Sequence, residues 1–293
     1  MFNFYKNGNY TVGINSDTGT KIRFNKEDYM RAGRPESIDL KISNKCEMGC
    51  PMCHEQSTPD GALADFNHPL FDSVPQYCEL ALGGGNVFTH PDLIPFLQRM
   101  RDKRAICNIT VHLQHFKDYY SLIRQLQNAQ LIHGVGVSVN SVISDEDIEL
   151  IANTPNTVVH VIAGIMPINS LMSMADKNIK LLILGYKFYG RGVSYAAING
   201  MLIKMRIDSL ARALPRLRKH FALISFDNLA VEQLNVKSLV SEEEYNMLYM
   251  GDDATATFYI DAVKMEYAPS STSARRPIDS NDITELFNNV RID

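Results

Sequence analysis

The sequence predicts an α/β protein: a partial (β/α)6 barrel of TIM-like kind, with a small N-terminal β-meander and a C-terminal β-containing cap. Three observations carry this. Short apolar runs recur from Ile38 to Phe226, separated by stretches of helical length, and that alternation builds βαβ units with a parallel sheet. The span is shorter than the roughly 250 residues of eight such units, so six or seven fit it better. Before it, "NFYKNGNYTVGI" places Asn7-Gly8 between alternating runs, a strong hairpin signal.

Taken in order, residues 1–34 read as the meander, closed by a further turn and strand in "SDTGTKIRF". Strands follow near 38–43, 78–83, 106–113, 134–140, 157–165, 178–185 and 222–226. Helices are expected over 91–103, 117–130, 144–153, 170–176 and 206–220, the third entered by Ser144 with Asp145 and Glu146 in its first turn. A strand pair around Ile260–Asp261 and a polar loop with Arg275 and Arg276 end the chain. This tail caps the open barrel end or closes the sheet edge. The expected division is 1–34 (meander), 35–227 (core barrel) and 228–293 (cap).

Composition excludes several classes. A net charge of -4 in 293 residues gives no default attraction to nucleic acid or anionic membrane. No run approaches about 18 consecutive apolar residues, the length of a membrane span. The start lacks the basic-then-apolar pattern of a secretory signal, so a cytoplasmic, reducing setting is expected. Five cysteines, an odd count, argue against a disulfide framework there.

Three of the five fall in "KCEMGCPMCHE": Cys46, Cys50 and Cys53, with His54 beside them. Within "CPMCH" lies the C-x-x-C-H pattern of covalent haem attachment, which belongs to exported proteins. A zinc site of three cysteines and His54 suits thiolate and imidazole chemistry. Structural zinc sites, however, pair two separated knuckles, and Cys78 and Cys107 stand alone on predicted strands. Three packed thiols without a metal fit poorly with a loop rich in Gly, Pro and Glu. Three thiolates also hold three irons of a [4Fe–4S] cube and leave the fourth open, as catalytic metal sites do.

Ligands in either a barrel or an open α/β sheet sit at the carboxyl ends of the strands. Those ends carry the three cysteines, then Gly83, Gly84, Gly85 and Asn86, then His112 and Gln114, then Ser138 and Asn140. Gly164, Lys187, Asp227 and Asn228 follow on the later strands. Polar and very small residues thus gather at one rim above apolar strand bodies.

The C-x3-C-x2-C loop after the first barrel strand, with bulky Met52 before its third cysteine, resembles the radical S-adenosylmethionine (SAM) superfamily. The resemblance covers roughly residues 36–227. It implies a [4Fe–4S] cluster on Cys46, Cys50 and Cys53, with SAM chelating the open iron. It implies that "GGGN", Gly83 to Asn86, meets the SAM amino group, with asparagine where an acid is common. Ser138 and Asn140 then match the ribose contact. "VIAGI" with Gly164 matches the fifth-strand glycine motif, and the strand ending in Leu184 lies beside the adenine. The implied chemistry is reductive cleavage of SAM to a 5′-deoxyadenosyl radical that abstracts hydrogen from a substrate. An electron donor such as flavodoxin or ferredoxin is implied with it.

The substrate, a small molecule or a peptide, is open, and no side-chain acid or base is singled out as catalytic. Residues 108–293 contain no cysteine, which disfavours branches with auxiliary clusters. The stretch from Lys187 to His220 is basic and suits an anionic substrate or a solvated helix face. A non-catalytic metal-binding protein, with zinc or a structural iron–sulfur cluster on the same loop, is the alternative function.

Overall fold

The computed structural model describes residues 1–27 and 29–291. Its chain begins with an antiparallel meander, β1 (Asn3–Asn7), β2 (Tyr10–Asn15) and β3 (Thr20–Phe24), turning at Gly8 in the left-handed region (φ 61°). Seven strands then enter one sheet: β4 (Ser37–Ser43), β5 (Glu79–Gly84), β6 (Ile106–His112), β7 (Gly134–Ser138), β8 (Thr157–Ile162), β9 (Lys180–Leu184) and β10 (Leu223–Phe226). Each is parallel to the next in sequence.

Helices fill the connections: α1 (Leu93–Asp102), α2 (Leu113–Asp118), α3 (Tyr120–Asn128), α4 (Asp145–Ala152), α5 (Ile168–Met172) and α6 (Arg191–Leu217). The expected helix at 117–130 divides at Tyr119. His112 ends β6, and its ring accepts the Gln114 N–H at 3.1 Å as the cap of α2. Ser144 caps α4 as its sequence suggests, accepting the Asp147 N–H at 3.1 Å. The larger departure is α6. Expected over 206–220, it starts at Arg191 and runs 27 residues, about 40 Å at the standard rise. Gly192 and Gly200 lower helix propensity across its first half; packing of that half beside the cysteine loop overrides them.

Beyond β10 come α7 (Asn228–Gln233), α8 (Glu242–Leu248), β11 (Thr257–Asp261), β12 (Glu266–Ala268), β13 (Arg276–Pro277) and α9 (Ile283–Asn289). The strand β11 pairs in parallel with β4, and β12 and β13 add antiparallel strands outside it. The result is a mixed α/β fold with an open ten-stranded sheet, ordered β10-β9-β8-β7-β6-β5-β4-β11-β12-β13. The C-terminal tail therefore joins the main sheet and covers what would otherwise be an exposed β4 edge.

In β4, Ile38, Leu40 and Ile42 are buried in the main core, while Ser37, Asp39 and Lys41 face a cavity on the other side. The meander lies at the amino ends of the strands and supplies an ionic floor. Fully buried Glu36 receives two Arg23 nitrogens at 2.9 Å each, Lys21 at 3.4 Å, and the Tyr10 hydroxyl. Lys21 also reaches Glu79 at 2.6 Å.

Burial alone would raise the Glu36 carboxyl, but the Arg23 hydrogen bonds and the Lys21 charge hold it below its ordinary value. A carboxylate depressed in the folded state stabilises above its unfolded pKa and loses that contribution as pH falls through the folded value. Replacing one member of a buried ion pair costs about 3–5 kcal/mol, so Glu36→Gln should be destabilised by that order at pH 7. Denaturant unfolding should show the gap to the unmodified protein narrowing below about pH 4, under the usual Glu pKa.

Candidate active site

The cysteine loop leaves β4 at Ser43 and returns on itself. Asn44 donates its N–H to the Ala62 carbonyl at 2.8 Å and accepts from Thr58 at 3.0 Å, while the Cys46 N–H reaches Thr58 O at 2.8 Å. The end of β5 supports this base from below. Gly85 N–H donates to Ser43 O and Asn86 N–H to Lys45 O, both at 2.7 Å. A Cβ on Gly84 would stand 2.3 Å from Ser43 O, and one on Gly85 2.3 Å from Lys45 O. Gly84 also has φ +106°, a conformation that only glycine adopts freely. Gly83 differs, since a Cβ there meets nothing closer than Thr110 at 3.9 Å.

The first turn of α6 holds the loop from the other side. Arg191 donates its N–H to Cys53 O at 3.1 Å, Nε to Cys50 O at 3.1 Å and Nη1 to Ser57 O at 3.0 Å. Gly190 precedes it at φ +55°, where a Cβ would come within 2.3 Å of His54 O. Met52 packs against the cluster of Ile165, Tyr186 and Ile203. The cysteines are free and half-buried, and burial pushes the thiols of Cys46 and Cys50 up. A bound metal ion reverses that preference.

All three thiols open onto one cavity of about 730 Å³ that extends along one face of the sheet from the cysteine loop to Lys21 and Glu79. Of the residues expected at a ligand site, Cys46, Cys50, Met52, Cys53, Gly83, Gly84, Gly85, Ser138, Asn140 and Leu184 line it. Two do not. Asn86 turns away: its Oδ1 caps a short 3₁₀ turn by accepting Phe88 N–H at 3.1 Å, and its Nδ2 lies 3.3 Å from Glu47. Gly164 (φ +84°) sits under α6, with its Cβ position 2.7 Å from Ile203. The basic segment divides as well. Lys187 and Arg191 line the cavity, whereas Lys204, Arg212, Arg216, Arg218 and Lys219 are exposed.

Several lining residues escaped sequence reasoning. Asp39 is reached by water but ringed by protein, and burial raises its carboxyl. His160 on β8 is held neutral, burial lowering it to about 4; its ring occupies the space left by Gly136, where a Cβ would approach within 2.3 Å. The available signal was the period-two polarity of Ser37, Asp39 and Lys41 in an otherwise apolar strand.

The donor set can be tested for a bound group. A tetrahedral zinc with sulfurs at about 2.3 Å requires its ligand atoms within roughly 4 Å of each other. Among the described residues, Cys46, Cys50 and Cys53 are not gathered within 4.8 Å; the set that is comprises Cys46, Glu47 and His115. His54 Nε2 is engaged by Glu55 Oε1 at 3.1 Å and Lys187 Nζ at 3.3 Å. Three spaced thiols suit a polynuclear cluster better than one ion. Elsewhere in the cavity, Asn140 Oδ1 is a buried acceptor without a partner, as an unfilled ligand contact would be.

No protein-family model matches the chain, and no curated protein matches its sequence. Solved structures do match in three dimensions. Streptococcus suis SuiB bound to S-adenosylmethionine aligns with a TM-score of 0.63 at 10% identity, over 99% of this chain and 89% of that one. This chain has the SuiB fold. SuiB bound to its precursor peptide SuiA aligns with a TM-score of 0.60 at 10% identity, covering 98% and 88% of the two chains. A further SuiB structure gives 0.61 at 11% identity, with 98% and 86% covered. Among the described residues, no helix of this SuiB-like fold is long and apolar enough to cross a membrane.

The glycines give a direct check on this geometry. Gly84→Ala should lose about 1–3 kcal/mol, the scale of backbone strain at such a position, in thermal or denaturant unfolding. Gly83→Ala should stay within about 0.5 kcal/mol of the unmodified protein, as an unobstructed substitution does.

Proposed function

We propose that this protein is a radical SAM enzyme whose cysteine loop, Cys46, Cys50 and Cys53, holds a [4Fe–4S] cluster. One observation carries the reading: three spaced thiols on the loop after β4 open into a cavity lined from all eight parallel strands, in a fold shared with SAM-bound SuiB. Bound there, the cluster and SAM supply one-electron chemistry that abstracts hydrogen from an unactivated carbon. The protein's part is to bind, orient and exclude water.

Gly83 leaves open space in the cavity that the thiols also line, while Gly84 and Gly85 let β5 carry the loop. The unpartnered Asn140 Oδ1 and the neighbouring Ser138 offer polar contacts to a ribose, with Leu184 as an apolar neighbour for an adenine. On this reading residues 35–227 form the catalytic core as a partial barrel. Residues 1–34 close its floor and 228–293 complete its edge. An electron donor such as a flavodoxin or ferredoxin serves the cluster. The substrate is read as a peptide segment or small molecule. The precursor peptide on SuiB supports a peptide, and a cavity of 730 Å³ lies in the usual range of about 300–1,000 Å³ for small-ligand sites.

Anaerobic reconstitution followed by iron analysis and electron-spin spectroscopy tests the reading. The unmodified protein should bind about four irons, one cube, and cleave SAM. Cys46→Ala, Cys50→Ala and Cys53→Ala should each lose both properties. A Cys78→Ala, Cys107→Ala double variant should keep them, since both thiols are buried in the core. Iron near eight per chain, or SAM cleavage that survives the loop variants, would overturn the assignment.

Gly83→Val should retain iron while SAM affinity, followed by equilibrium binding, falls at least about tenfold, or 1.4 kcal/mol. Unchanged affinity would remove this turn from the SAM site.

A further inference from the structure

The end of the cysteine loop is fastened to the C-terminal segment by side chains that the proposed chemistry does not use. Glu55, two residues after Cys53, is the hub. Its Oε2 accepts Lys41 Nζ at 2.8 Å, and the Tyr259 hydroxyl donates to the same carboxylate at 3.2 and 3.4 Å. Lys41 bridges onward to Asp261 Oδ2 at 3.1 Å. Asp261 Oδ1 in turn accepts the N–H groups of Val263 and Lys264 at 3.1 and 3.0 Å, fixing the turn after β11.

A second thread runs beside the first. His54 Nε2 lies 3.3 Å from Lys187 Nζ, which donates to Ser271 Oγ at 2.7 Å. The Arg275 guanidinium donates to Ser271 O at 2.6 Å and stacks 4.0 Å over the Tyr259 ring. Lys41, Glu55 and Asp261 are 4%, 10% and 5% exposed. Charges so buried are tolerated only as a complete set, so losing any one member releases the others to seek water.

We infer that Lys41, Tyr259 and Asp261 are positioning residues for the Cys53 end of the loop, and that residues 257–275 are thereby part of the cluster site. This rests on the reading that the loop thiols hold a cluster. Outer partners that orient metal ligands govern metal affinity. Here two of the partners, Tyr259 and Asp261, come from the far end of the chain. Tyr259 and Lys41 hold the Glu55 carboxylate two residues beyond Cys53, and Arg191 holds the Cys53 and Ser57 carbonyls on either side from α6.

The test uses the full chain, reconstituted anaerobically, as the unmodified protein, Tyr259→Phe and Asp261→Asn. Iron release to a chelator should be about tenfold faster in both variants, the low end for outer partners of metal ligands. The reduced-cluster spin signal should shift, while melting of the iron-free chains stays unchanged for Tyr259→Phe. Amide exchange in the iron-free protein should rise at residues 50–58 and not in β8. Tyr259→Phe removes a single oxygen and carries the test if Asp261→Asn fails to fold. Unmodified release rates, spin signal and loop exchange in Tyr259→Phe would overturn the inference while leaving the functional reading intact. An unmodified protein that takes up no iron would remove both.

Discussion

The site depends on one close backbone approach, where the end of β5 meets the base of the cysteine loop. Two hydrogen bonds of 2.7 Å, from Gly85 to Ser43 and from Asn86 to Lys45, tie the two segments. They form only because Gly84 and Gly85 lack Cβ atoms. With that base fixed, the loop rises over the carboxyl ends of the strands and α6 grips it through Arg191. Held from both sides, the loop opens all three thiols onto one cavity.

The same sheet that bears the loop carries a polar interior. Asp39, Lys41, Thr110, His160 and Glu79 face a cavity where closed barrels pack layers of branched side chains. Polar groups of this kind are tolerated because water or a ligand reaches them, or because they are paired, as at the Glu36 floor. The meander's ionic contacts sit at the amino ends of β4 and β5, so the floor is sealed without filling the space above. The outer face of β4 remains conventional, with Ile38, Leu40 and Ile42 in the core.

Much of this architecture could be read in advance because it is local. The apolar runs that became β4 to β10 stand out by their length and spacing, and three cysteines within eight residues mark the loop that opens onto the cavity. What escaped depends on distant partners. Asn86 offered an acceptor on paper, but the backbone N–H of Phe88 consumes it. Gly164 appeared as a ligand-side glycine and serves α6. The early start of α6 was hidden by Gly192 and Gly200, whose poor propensity is overridden by contacts with the loop. The partnership of Lys41, Glu55 and Asp261 joins three separate stretches of chain, and no local pattern encodes it. Gly84 and Gly85 were legible as special positions, although the atoms they accommodate belong to Ser43 and Lys45.

The pairing of β11 with β4 has a consequence for biogenesis. Residues 37–41 must wait for residues 257–261, so one side of the first parallel strand stays unpaired until those later residues have left the ribosome. Contacts of such sequence separation form late, because loop closure is paid before the contact rewards it. The cysteine loop directly follows that strand and stays accessible through most of synthesis. A chain cut short before β11 presents its thiols on a loop that lacks its final support.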